Sequence, residues 1–389
     1  MQSLFKLEKN RVNCQEVADC ISELSQQNIN HFINSEHWSY RDLMDEIAQD
    51  ASRLFEQSKQ PVALLFDEVG IRKKGKMSAC VARQYLGCIG KVDNGQVAVC
   101  AGLAQGQNFT PIEMRLFMPE EWDQDASRRR KCNIPDDEQH IPKPALVQKM
   151  VEHILQNKIA FDYINFDALY GNAKSLLAFL VSNKLDFIGD VRSDFTIHFD
   201  YDKEEKCTVG QYLKYLSNED FDKVTIRQAT KGSLQAYFHR VKVQIRVESK
   251  WLDLILLIRK DMDGKIKFSI SNMDQDHIQE LAKKQGQRIF IEQIFKEGKN
   301  QVGMADYQIR GWNGFHNHIA LVMLAMLLIA KIKIEYHEEK YTTNTVRKLI
   351  SLCIINKMEH PQIAIAIILE QHRRYIKQLE RDGFFQQSG

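Results

Sequence analysis

PVALLFDEVGIRKKGK, residues 61–76, carries the strongest structural signal in the chain. Pro61 opens a new unit, and VALLF (62–66) is a short, continuous apolar run. A strand buried on both faces of a central sheet needs such a run. Asp67 and Glu68 stand at its expected end, and IRKKGK (71–76) reads as a tight basic turn. A second apolar run, YINF (163–166), ends on Asp167, ahead of ALYGN. Ligands bind preferentially beyond the carboxyl ends of strands in open α/β sheets, so both aspartates stand where chemistry is favoured. Either aspartate alone more often just ends a strand.

On either side of these runs, Ala79–Ile89 and Gln96–Leu103 read as strands joined by a turn at Asp93-Asn94-Gly95. Another strand is expected over Ile112–Phe117. Residues 119–144 are polar, carry Arg128-Arg129-Arg130-Lys131 and read as a loop. Pro144 precedes an amphipathic helix over 145–157, and a helix over 172–183 leads into a strand at Leu185–Val191. Consecutive strands, then a helix and a returning strand, predict a mixed sheet covered by helices. Residues 192–284 alternate or run apolar over strand lengths and form a β-rich insertion. Before the sheet, residues 1–58 predict a helical N-terminal domain that could bind DNA. Val17, Ile21 and Leu24 share one of its faces, Leu43, Ile47, Leu54 and Phe55 another, and Ser39 is placed to cap a helix. Phe315–Ile332 predicts a buried helix, and 336–389 a helical C-terminal region with a frayed end. The catalytic core would then comprise 59–191 and 285–335.

A third acidic residue comes from RIFIEQIFKEGK, residues 288–299. At 3.6 residues per turn, Arg288, Glu292 and Lys299 fall within roughly 40° of one another on a helix. A charged helix face is usually only solvated. Three convergent carboxylates, however, are what a two-metal phosphoryl-transfer site requires, and Mg²⁺ takes hard oxygen ligands of this kind.

Composition bounds the class. The chain has 389 residues, 44% hydrophobic and 27% charged, with a net charge of +2, as expected of a soluble globular protein of two or three domains. Eight cysteines include no C-x-x-C pair and read as reduced and buried. The N-terminal residues show no apolar signal core, and the longest apolar run, Ile319–Ala330, is 12 residues, short of a bilayer span.

Here the sequence resembles a family. FDEVGIRKKGKMSACVARQYLGCIGKVDNGQVAV (66–99) is similar to the first-aspartate block of bacterial insertion-sequence DDE transposases, which have an RNase H-like core. DALYGN (167–172) resembles their second-aspartate block, and YQIRGWNGFHNHIALVMLA (307–325) resembles the segment just past their glutamate. Arg288, Glu292 and Lys299 match the spacing of the group carrying a Tyr-Arg-Glu-Lys signature; its tyrosine position is Gln285 here, and the residue two after the first aspartate, often Thr, is Val69. The resemblance implies an α/β, RNase H-like mixed sheet flanked by helices. It implies Asp67, Asp167 and Glu292 as a catalytic triad holding two Mg²⁺ ions, with Mn²⁺ able to substitute. Arg288 and Lys299 would contact phosphates. The expected partners are double-stranded DNA, both the element's terminal inverted repeats and the target, and a second copy of the chain on that DNA. The expected location is cytoplasmic and nucleoid-associated, with no membrane partner.

The basic turn adds Lys73, Lys74 and Lys76 as DNA-binding candidates beside Asp67, with Arg72, Arg83 and Lys91 near them. Trp251 is expected to pack in a core. His316 and His318 diverge by about 200° on a helix, which argues against a shared metal. Glu68 and Asp162 are expected not to ligate directly. The alternatives are a metal-dependent nuclease without strand transfer and an inactive DNA-binding relic.

Overall fold

The computed structural model describes residues 25–199, 202–229, 232–354 and 361–382. The face expected from Val17, Ile21 and Leu24 and the end of the tail, 383–389, lie outside these residues. The strands are β1 (Ala63–Arg72), β2 (Ala82–Leu86), β3 (Lys91–Gln105), β4 (Asn108–Leu116), β5 (Tyr163–Phe166), β6 (Phe187–Val191), β7 (Thr196–Phe199), β8 (Asp202–Thr208), β9 (Asp222–Ala229), β10 (Gly232–Val247), β11 (Lys250–Asp261) and β12 (Ile266–Ser271).

They form one mixed sheet in the order β2-β3-β1-β5-β6-β12-β11-β10-β7-β8, with β4 also on β3 and β9 also on β10. β1 pairs antiparallel with β3 and parallel with β5, and β5 pairs parallel with β6. Ala63 to Phe66 and the whole of Tyr163–Phe166 are buried, which is why these strands read as unbroken apolar runs. The strands of 192–284 continue the same sheet, because β12 pairs antiparallel with β6 from Val191 to Ile188.

Helices flank the sheet. Tyr40–Phe55 and Ile289–Gln301 pack on β3 and β4, and Trp312–Glu335 packs on β4 and on Tyr40–Phe55. Ser39 caps the first of these, accepting from the Asp42 N–H. Buried Glu113 on β4 ties that helix down, with Arg41 at 2.7 Å and Arg115 at 2.6 Å. Trp312–Glu335 is long and apolar enough to cross a membrane by composition, but most of it is buried here against β4 and Tyr40–Phe55.

Three expectations are corrected. The first strand does not end at Asp67 but runs to Arg72, because β3 keeps pairing with it as far as Gly95. Asp93-Asn94-Gly95 is not a turn. It lies inside β3, paired with β2 throughout and with β1 at Gly95, and the β2–β3 turn is at 87–90. Within 119–144, two short helices form, Glu120–Asp123 and Ala126–Lys131.

Candidate functional site

The β1–β5 register builds the site. The two strands pair in parallel up to Phe66 and Phe166, so Asp67 and Asp167 stand one step further on adjacent chains. Asp167 then caps the helix Ala168–Gly171, its Oδ1 accepting from the Leu169 N–H at 2.9 Å. Asp67 Oδ1 accepts from the Glu68 N–H at 2.7 Å. One oxygen each from Asp67, Glu68 and Asp167 lies within 4.8 Å of the others.

Glu68 joins this cluster, although no direct ligation is expected of it. Lys143 steadies it at 2.8 Å. Asp162 stays structural: its Oδ2 accepts the Val62 N–H at 2.6 Å and pins the start of β1.

Glu292 comes from the other side, on Ile289–Gln301. That helix buries Ile291 and Ile294. It sits so close to β3 that a Cβ on Gly102 would lie 2.5 Å from Ile294 Cδ1. Glu292 is outside the 4.8 Å cluster. Arg288 links the two parts: its guanidinium is 3.0 Å from Glu292 Oε1, 3.7 Å from Asp67 Oδ2 and 3.3 Å from Asp190 Oδ2. One planar cation therefore spans three carboxylates, a fork suited to such pairing.

Asp190, on β6, is itself held. Ser269 Oγ on β12 donates to its Oδ1 at 2.7 Å, and the Gln285 side-chain amide donates to Ser269 Oγ. Gln285 is buried, and its Oε1 has no partner among the described residues. The side chain at the signature tyrosine position thus turns into the sheet, toward the anchor of Arg288. Gly171 allows this closeness, since a Cβ there would overlap the Asp190 carbonyl.

The electrostatics favour a missing positive charge. Burial, then the Asp167 charge, raises the Asp67 pKa to about 7. Burial and Glu68 raise Asp167 likewise. The Tyr170 hydroxyl is buried without a partner among the described residues, its pKa pushed well up by burial and by Glu68, Asp67 and Asp167. Burial opposes the charge of Arg288, but Asp190, Asp67, Glu292 and Asp167 outweigh it and hold the pKa up. Crowded carboxylates of this kind suit a hard divalent cation.

The basic candidates divide into two groups. Lys299 Nζ donates to the Gly70 carbonyl at 3.0 Å. Lys73 Nζ donates to the Tyr307 carbonyl at 3.2 Å and lies 3.5 Å from the Tyr307 ring centroid. Burial lowers both pKa values, that of Lys73 to about 8. Lys74 and Lys76 are exposed, and Arg72 pairs with Asp93 at 2.9 Å. His316 and His318 are buried in the interior, where burial drops their pKa values to about 3 and about 4.

Sequence reasoning did not find Asp190, Ser269 or Lys143 at this site. A polar residue inside an apolar strand was the only signal for the first two.

Residues 7–231 match the family described as DDE superfamily endonuclease, and residues 141–328 match the transposase DDE domain. The chain belongs to the DDE superfamily of endonucleases. It is 23% identical over 296 residues to a protein of Microchaete diplosiphon named as a probable transposase for insertion sequence element IS701, covering 76% of this chain and 71% of that one. A solved structure, a piggyBac transposase synaptic complex with hairpin DNA, matches with a TM-score of 0.43 and 10% identity over 95% of this chain and 73% of that one. Membership of the DDE superfamily of endonucleases implies divalent metal use, and among the described residues an acidic cluster lies at Asp67, Glu68 and Asp167.

Proposed function

We propose that this DDE protein cleaves DNA at the ends of its own insertion sequence and joins those ends to target DNA. Asp67, Asp167 and Glu292 would hold two Mg²⁺ ions. Such a pair activates an attacking water or 3′-hydroxyl and stabilises the leaving oxygen. One observation carries the reading: Asp67 and Asp167 meet at the end of the β1–β5 pairing, with Arg288 joining them to Glu292.

The protein's own groups divide the remaining work. Arg288 bridges Glu292 and Asp67 and would serve as a phosphate contact beside them. Glu68, braced by Lys143, adds a carboxylate at the cluster's edge. Lys74 and Lys76 are free to grip backbone phosphates, whereas Lys73 and Lys299 brace the local fold in the state described. The subgroup with the Tyr-Arg-Glu-Lys signature fits three of its four positions, with Gln285 at the fourth. The partners are double-stranded DNA and a second copy of the chain, and the location is cytoplasmic, at the nucleoid.

The test is a Mg²⁺-dependent nicking and joining assay on the gene's flanking DNA, with Asp167→Ala as control. Nicked and joined products from wild type alone would support the reading. Nicking without joining would favour the nuclease alternative. Cleavage by Asp167→Ala would overturn the triad.

A further inference from the structure

Twelve large hydrophobic residues are exposed among the described residues, and four of them, Met77, Tyr85, Ile89 and Val92, fall between positions 77 and 92. This clustering singles out the β2–β3 hairpin. Tyr85 and Val92 are 62% and 54% exposed and stand opposite each other across the two strands. Arg83 stands opposite Asn94. Opposed residues of an antiparallel pair share a face, and the period is two, so Arg83, Tyr85, Val92 and Asn94 lie on one face. The other face is occupied: Leu86 is buried against Gly70 and Gly95.

The basic turn belongs to the open face. Asn94 Nδ2 donates to the carbonyls of Lys73 and Gly75, at 2.7 Å and 2.9 Å, and so holds the turn over its own side of the sheet. Lys74 and Lys76 on that turn, with Arg83 and Lys91 on the hairpin, are all exposed. The neighbouring Asp93 is already paired with Arg72. An aromatic–aliphatic pair therefore stands exposed beside three cations, Arg83, Lys74 and Lys76, while Lys91 stands opposite Leu86 on the other face.

Cations alone would fit any phosphate backbone. An exposed aromatic between them fits an uncovered base, whose π-face it can cover regardless of sequence. Proteins that distort duplexes insert apolar side chains at opened base steps in the same way. The position is defined as well. From Asp67 to Arg72 is five residues of strand, and Val92 lies three residues of β3 beyond Gly95, the partner of Arg72, so the pair stands about 27 Å along the strands at the usual rise. At 3.4 Å per nucleotide along one strand, that is about eight steps.

We propose that this hairpin face binds an unpaired stretch of the DNA about eight nucleotides from the cleavage point, with Tyr85 stacking on a base, Val92 beside it and Arg83, Lys74 and Lys76 on the flanking phosphates. The proposal rests on the transposase reading.

The test measures binding by fluorescence anisotropy, with the full chain and the gene's end sequence. One duplex is fully paired, and others carry a two-base mismatch at successive positions on either side of the cleavage point. Wild type should bind best when the mismatch lies about eight steps away, by about tenfold over the paired duplex. Tyr85→Ala should erase that preference and leave paired-duplex affinity within about threefold, and Tyr85→Phe should retain it. Arg83→Gln should weaken both substrates alike. Exposed positions make these variants safe for folding. Equal preference in wild type and Tyr85→Ala, or no preference in wild type, would overturn the proposal while leaving transposition intact. Binding to neither substrate would defeat the transposase reading itself. A Tyr85→Ala effect on self-association, with mismatch preference unchanged, would assign the face to a second copy and reject the DNA contact.

Discussion

Asp67→Asn should stabilise the metal-free protein at alkaline pH. The folded-state pKa of Asp67 is about 7 against an ordinary 3.8, through burial first and Asp167 second. An acid whose folded pKa is raised costs nothing below its unfolded pKa, and the penalty grows as pH rises to the folded value. Stability should therefore fall between about pH 4 and pH 7, with the full cost present above 7. A gap of about three units corresponds to a ceiling on the order of 4 kcal/mol. Arg288 at 3.7 Å and the side chain's partial exposure, 17%, are already felt in that pKa, and local relaxation reduces the cost further. We expect a gain of about 1–3 kcal/mol, a few degrees in Tm. Asparagine keeps the Oδ1 that accepts from the Glu68 N–H. The assay is thermal unfolding at pH 5.5 and pH 8.5, in chelator and in excess Mg²⁺. The variant should melt higher than wild type at pH 8.5 in chelator, with about half that advantage left at pH 5.5. Mg²⁺ should raise wild type, because a ligand selective for the folded state stabilises it by mass action, and should raise the variant much less. Equal Tm values at pH 8.5 in chelator would refute the burial argument. An equal Mg²⁺ response would remove Asp67 from the metal site.

Asp190→Asn should release Arg288 from its strongest anchor and lower cleavage kcat about 10- to 100-fold with little change in DNA KM; steady-state kinetics would show it, and an unchanged kcat would make the contact incidental. Ser269→Ala should give a smaller loss in the same direction. Gly102→Ala forces a methyl against Ile294 and should cost about 1–3 kcal/mol in denaturant melts while cutting cleavage, since the Glu292 helix must move off β3. Lys74→Gln and Lys76→Gln should each weaken DNA binding and reduce its salt slope by about one, whereas Lys73→Met should leave the slope nearly unchanged because that amine is held by Tyr307. A large slope change for Lys73→Met would show that the amine swings out to DNA.

Features that depend on local pattern were legible in the amino-acid sequence. VALLF and YINF announced two buried strands, because a strand covered on both faces must be apolar at every position. Asp67 and Asp167 each follow the apolar run directly, and only the register Phe66 to Phe166 sets the two side by side. Ile291 and Ile294 marked the buried side of the Glu292 helix for the same periodic reason. Where chains distant in sequence meet became visible only in the folded molecule. Asp93-Asn94-Gly95 has turn chemistry, but its pairing with β2, joined by β1 at Gly95, holds it extended. Glu68 stands with Asp67 and Asp167 in the acidic cluster, a meeting no local pattern announces. Arg288 was read as reaching for phosphate, but in the protein without DNA it faces three carboxylates, a closer source of negative charge. Gln285 turns inward to Ser269 on a strand 16 residues earlier in sequence, a partner that no helical or strand period predicts. Periodicity reports which face of an element is buried. Which atom lies opposite it depends on the packing of the whole chain.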